Sequence, residues 1–144
     1  MSHVNYASTI WDGCSEAAFI NLNRQHRRAV KLISPLQNTT TEHKLKNLNI
    51  LPLAEHMKYN KATLIHKIYH NKTPAYLNQF FTKSTNRYGS MNLVPPLPRI
   101  DIVKTSLFYS GSVVWNDLPD KLKLNMSTNA FKTNLYKYLL NLPT

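Results

Sequence analysis

The acids of this sequence are few enough to weigh one by one for chemistry. They are Asp12, Glu16, Glu42, Glu55, Asp101, Asp117 and Asp120, seven in a chain of 144 residues. Two-metal phosphoryl transfer needs carboxylates converging on ions roughly 4 Å apart. Only Asp117 and Asp120 lie close in sequence, and Pro119 stands between them. Asp120 sits where a first-turn acid complements a helix dipole. His66 and His70 are four apart, the spacing that lets two helical imidazoles share a metal. They lack the glutamate of the zincin pattern and fall opposite the apolar face of their own helix, so a solvated pair is expected. His26 lies inside an apolar stripe, where a hydrogen-bonded core histidine is expected. Cys14 is the sole cysteine, which excludes an internal disulfide and a multi-cysteine zinc site, and no base stands beside it. Gly13, Gly89 and Gly111 form no phosphate-cradling cluster. Sequons at Asn38, Asn71 and Asn125 carry weight only behind a secretory signal. An independent enzyme is a poor reading of these residues, and they assemble neither a metal nor a cofactor site.

The cations are a different matter. Lys and Arg number 18, giving a net charge of +11 and putting RNA, DNA or an anionic surface first among partners. Arg24, Arg27, Arg28 and Lys31 fall within eight residues. At about 100° per residue they share one helical face. Phe19, Leu22, His26, Ala29, Val30 and Ile33 share the opposite one. Arginine grips phosphate bidentately and stacks on bases, so the four are a candidate nucleic-acid contact, the alternative being a basic face that only keeps the domain soluble. Tyr6, Tyr59, Tyr69, Tyr76, Tyr88 and Tyr109 are available to stack on single-stranded bases or to pack half-buried with a wet hydroxyl.

The elements that must position these residues are mainly helical. Hydrophobic residues make up 42% and charged ones 17%, which excludes a disordered tail. The length suits one domain over residues 1–144. No apolar run approaches the ~18 residues of a membrane span, and none has the form of a signal peptide. The amphipathic stretch Ser15 to Ser34 predicts a helix capped by Ser15 and stopped by Pro35. A polar turn through Thr39, Thr40 and Thr41 leads to a short piece through Leu45 and Leu48. Pro52 opens a second long helix with Leu53, Met57, Leu64, Ile65 and Ile68 on one face. Lys61 interrupts that face and must reach water or an acid. A short helix Ala75 to Phe81 follows Pro74. Residues 82–105 read as an extended, proline-rich segment that wraps the helices or pairs as a short hairpin around Gly89. Thr105 or Ser106 starts a helix through Leu107, Val113, Val114 and Trp115, stopped by Pro119. Ser127 caps a last helix with Phe131, Leu135, Tyr138, Leu139 and Leu142 in register. Trp11 and Trp115 read as core anchors. The expected fold is a small helical domain of about four to six helices.

Several strings, in order, carry a family resemblance. They begin with Asn5-Tyr6-Ala7-Ser8-Thr9-Ile10-Trp11-Asp12-Gly13-Cys14, then Leu22-Asn23 and His26-Arg27-Arg28-Ala29-Val30-Lys31-Leu32-Ile33. Leu48-Asn49-Ile50-Leu51-Pro52-Leu53, His66-Lys67-Ile68-Tyr69 and Thr73-Pro74 follow. Pro96-Leu97-Pro98-Arg99, Gly111-Ser112, Trp115-Asn116-Asp117-Leu118-Pro119 and Phe131-Lys132 complete the series. Together they resemble the C-terminal region, downstream of the catalytic palm, of non-LTR (LINE-type, jockey-like) retrotransposon reverse transcriptases. The resemblance spans almost the whole chain. One departure is Gln25, where similar sequences place an aliphatic residue.

The resemblance implies a parent protein with an endonuclease and an RNA-directed DNA polymerase that uses Mg and works in the nucleus. The Tyr-x-Asp-Asp motif of that family has no counterpart here, so no catalytic residue carries over. The expected role is noncatalytic: a nucleic-acid-binding, structural fragment that supports template or target binding, with Arg24, Arg27, Arg28 and Lys31 as its contact. The alternatives are a module that docks on the missing palm, or the product of a decayed element.

Overall fold

The computed structural model describes residues 8–11, 13–34, 39–85, 91–124 and 127–141. The expectations for Tyr6, Asp12, Pro35, Asn38, Tyr88, Gly89, Asn125, Leu142 and the side chain of Trp11 lie outside the described residues. In chain order the elements are α1 (Ser8–Trp11), α2 (Glu16–Ile33), α3 (Thr41–Asn47), α4 (Leu53–Tyr69) and α5 (Ala75–Asn78). Strands β1 (Thr82–Lys83) and β2 (Leu93–Val94) follow, then α6 (Asp101–Thr105), α7 (Leu107–Asn116), α8 (Asp120–Lys123) and α9 (Thr128–Leu140). The protein is mainly helical, and among the described residues four helices have ten or more residues, with shorter pieces of one or two turns between them.

Local chemistry sets most of the boundaries. The hydroxyls of Ser15, Thr40, Ser106 and Ser127 accept from the backbone N–H three residues on, closing the first turns of α2, α3, α7 and α9. Pro52, Pro74 and Pro119 stand at the N-caps of α4, α5 and α8, one position before the first helical residue. Two helices end on an asparagine in the left-handed region, Asn49 (φ 50°) after α3 and Asn71 (φ 55°) after α4. Ile50 N–H then donates to Leu45 O at 2.9 Å, and Lys72 N–H to Lys67 O at 2.8 Å, which satisfies carbonyls the helix would leave open.

Residues 82–105 are more ordered than an extended wrap. β1 and β2 pair antiparallel, Thr82 with Val94 and Lys83 with Leu93, so the hairpin alternative holds for the segment. Residues Asp101–Thr105 form α6, and Ser106 rather than Thr105 caps α7. The short helix Ala75 to Phe81 is trimmed to α5, ending at Asn78.

The core gathers around α4. Packed against it are α7, α9 and α1. Its interior joins Ile65, Ile68, Trp115, Phe131 and Leu135, all buried. α7 comes in close because Gly111 has no side chain: a Cβ there would sit 2.8 Å from Ile65 Cδ1. Lys61 does not snorkel to water. It is buried, and its Nζ donates to Ser110 Oγ at 3.0 Å across the α4–α7 contact.

The Trp115-Asn116 pair acts as a clamp on β2. Trp115 Nε1 donates to Met91 O at 2.7 Å. The Asn116 amide accepts from Leu93 N–H at 2.9 Å and donates to Leu93 O at 2.8 Å. Lys123 completes the clamp from α8. Its ammonium is buried and donates to Asn92 Oδ1 at 2.8 Å and Asn116 O at 3.1 Å, with Asp120 Oδ1 at 3.4 Å. Asp120 therefore does sit in a first helical turn, and it also pairs with a lysine.

Candidate nucleic-acid interface

The interface builds on α2. Eighteen residues at 1.5 Å each make a rod of roughly 27 Å. Glu16 in its first turn and Lys31 in its last both complement the dipole. Only His26 and Val30 are buried on it, docked toward α3, with Phe19, Leu22 and Asn23 half-covered. Arg24, Arg27, Arg28 and Lys31 are all exposed on the outer side, as their spacing requires. Among the described residues none of the four is held in an ion pair. From Arg24 to Lys31 the stripe runs about 10 Å along the axis. Over that length duplex DNA presents about six phosphate charges. An open groove of about 240 Å³ separates α2 from α3 and the start of α4, with Arg27 and Glu42 at its walls.

His26 adds no charge to this surface near neutral pH. Burial, then His56 and Arg27, hold its pKa below the ordinary imidazole value. It is buried as expected, but its Nδ1 has no hydrogen-bond partner among the described residues. The apolar half of α2 is wider than its footprint. Leu32 is 88% exposed and Ile33 64%, and Ala29 is exposed beside them.

The other sequence candidates go elsewhere. His66 and His70 are not a solvated pair. His66 is fully buried, its ring 4.1 Å from Phe131 and stacked on it, 4.5 Å from His70 and 6.3 Å from Trp115. The reason is that α4 is surrounded: α9 covers the side opposite its apolar stripe, so position on the helical wheel does not decide exposure. Burial first, then His70 and Lys72, lower the His66 pKa to about 4. Burial and Lys72 also lower that of His70. The two rings therefore stand neutral at pH 7, with the Phe131 ring against the first. Among the described residues no three potential metal ligands come together.

Of the tyrosines, Tyr59 meets Tyr136 edge-on at 5.7 Å, and Tyr69 stacks on Trp115 at 5.2 Å with the Lys83 ammonium 4.4 Å from its centroid. Those two rings are committed to packing, Tyr109 is half-buried, and Tyr76 on α5 stays exposed. Cys14 is half-buried. Sequence reasoning missed Lys123 and the Asn116 clamp, since their partners lie up to 31 residues away. The paired Trp and Asn before Leu118-Pro119 were the available signal.

No helix among the described residues is long and apolar enough to cross a membrane. No protein-family profile, curated protein or solved structure matches the chain.

Proposed function

We propose that the chain is a noncatalytic nucleic-acid-binding segment, resembling the post-palm region of a non-LTR reverse transcriptase and serving to hold template RNA or target DNA. The single supporting observation is the face of α2. Four cations stand exposed on one side of a helix that has only two buried residues. A helix presented in this way can lie along a backbone with its guanidinium groups free to grip phosphates. The nuclear location and the Mg-dependent polymerase belong to the parent that the resemblance implies, and the seven acids of this chain are not asked to do that chemistry.

The test is fluorescence anisotropy of a labelled single-stranded RNA across a salt series. If all four cations meet phosphates, log affinity falls against log salt with a slope of about −2.8 for single strands or about −3.6 for duplex. Replacing Arg24, Arg27, Arg28 and Lys31 with Ala flattens that slope. Binding that is unchanged in the fourfold variant would sink the assignment.

One observation favours a second reading. The uncovered apolar edge of α2, Leu32 with Ile33 and Ala29, is suited to docking on a larger protein such as the palm. That reading expects the isolated chain to associate or to stay partly molten. A single cooperative calorimetric transition for a monomer counts against it.

A further inference from the structure

The groove beside α2 is lined by polar atoms that the fold leaves unused. α2 supplies one wall with Phe19, His26 and Arg27, and Glu42 of α3 and Glu55 of α4 stand across from it. Leu45 and Leu53, both buried, add apolar lining. His26 is 9% exposed, and its Nδ1 has no hydrogen-bond partner among the described residues. Glu55 gives one carboxylate oxygen to Lys58 at 2.9 Å, while its buried Oε2 accepts from no group among them. Burying a polar atom without a partner is costly, and two such atoms belong to the lining of one groove.

Charge and size select the occupant. Glu42 and Glu55 repel a phosphate from the interior. Arg27 offsets the one carboxylate and Lys58 pairs with the other, so the groove does not call for a bare cation either. An uncharged flat ring, with donors for the carboxylates and acceptors for the guanidinium, matches that balance. The groove's 240 Å³ is the volume of about eight waters, the scale of one heterocyclic base. Arg27 belongs both to this groove and to the exposed basic stripe. A strand whose phosphates follow α2 therefore passes the mouth, where an unstacked base can turn in against Phe19.

We infer that this groove is a pocket for one unpaired base that carries an amino group: guanine, adenine or cytosine, and not uracil. The amino N–H donates to the Glu42 and Glu55 carboxylates, and the Arg27 guanidinium donates to a ring nitrogen or carbonyl of the same base. The His26 ring nitrogen completes the set. Uracil presents two carbonyl oxygens, which the carboxylates repel. The inference rests on the reading of α2 as the phosphate contact and adds base selection to it.

The test uses the full chain and labelled oligouridine RNAs that differ only in one central base, read by fluorescence anisotropy. The phosphates are identical across the set, so differences report the base alone. Central guanine, adenine or cytosine is expected to bind about tenfold more tightly than uracil. The Glu42→Gln/Glu55→Gln variant should bring the four RNAs within about twofold of one another and keep the salt slope. Glu42 is exposed, so Glu42→Gln alone carries the same test if the double variant melts early. The Arg24→Ala/Arg28→Ala/Lys31→Ala variant, which spares Arg27, should do the reverse, with a flatter slope and an intact base preference. Equal affinity of the wild type for all four RNAs overturns the pocket and leaves the α2 contact standing. A base preference that persists without the two carboxylates overturns the pocket as well. No RNA binding by the wild type overturns both readings. His26 ring signals in NMR that move with N-acetylarginine amide but with none of the RNAs assign the groove to a cationic side chain of a protein partner instead.

Discussion

α4 and α2 are nearly equal in length, 17 and 18 residues, and have opposite fates. α2 has the sharper division into apolar and charged faces, yet only His26 and Val30 are buried on it. α4 has a blurred pattern, with Lys61, Thr63 and His66 among its buried residues. The difference shows that burial is decided by how many partners surround a helix. A clean stripe marks a helix with one neighbour and a free face. A blurred one marks a helix enclosed on several sides, whose polar residues must be satisfied or kept neutral inside. Stability should therefore reside in the surroundings of α4, and the outer face of α2 is free to serve binding.

The largest expected effect comes from opening the α4 surroundings. Phe131→Ala removes the ring that stacks on His66 at 4.1 Å and leaves a cavity at the α4–α9 contact. It should destabilise the protein by about 3–5 kcal/mol in urea unfolding. A loss under 1 kcal/mol would mean that this core is not the seat of stability.

The same region should respond to acid. The His66 pKa is lowered to about 4 in the folded state from 6.5, so between those values the unfolded chain binds more protons. Stability is full above pH 6.5 and falls as pH drops toward 4, by up to about 3 kcal/mol from this group. His26, His56 and His70 are shifted downward as well and act in the same direction. In His66→Leu the unfolding free energy should depend less steeply on pH over that window. An identical profile in the variant would refute the burial of a neutral imidazole.

These two predictions rest on residues whose environment the sequence left partly hidden. The caps at Ser15, Ser106 and Ser127 were legible because each depends on a bond three residues long. The amphipathic stripe of α2 was legible for the same reason, since its spacing is its geometry. The exposed site residues Arg24, Arg27, Arg28 and Lys31 follow directly from it. His66 was misjudged because exposure depends on α9, whose Phe131 lies 65 positions on along the chain. Lys123 was invisible among the lysines because its defining partner, Asn92, reaches it only through the hairpin.

Lys123 gives the next test in size. Lys123→Met keeps the apolar stem and deletes the ammonium, leaving Asn92 Oδ1 and Asn116 O without that donor. The expected loss is about 2 kcal/mol, with faster amide exchange at Leu93, whose N–H bonds Asn116 in the same clamp. Gly111→Ala should follow at about 1 kcal/mol, because its methyl would press on Ile65 and only the tip of that side chain can yield.

The smallest effect on stability belongs to α2, and it is the sharpest test of the contrast. Arg24, Arg27, Arg28 and Lys31 are exposed, and among the described residues none of them is held in an ion pair. Each substitution by Ala should change unfolding free energy by less than about 0.5 kcal/mol. Alanine is also the best helix former, so backbone propensity offsets any small loss. The fourfold variant should therefore melt close to the wild type, with its far-UV circular dichroism intact, while losing salt-dependent RNA binding. A fall of several kcal/mol would show that the basic face is part of the protein's own packing. Free energy that is insensitive to all four cations, with binding that needs them, is what separates a surface kept for a partner from one kept for the fold.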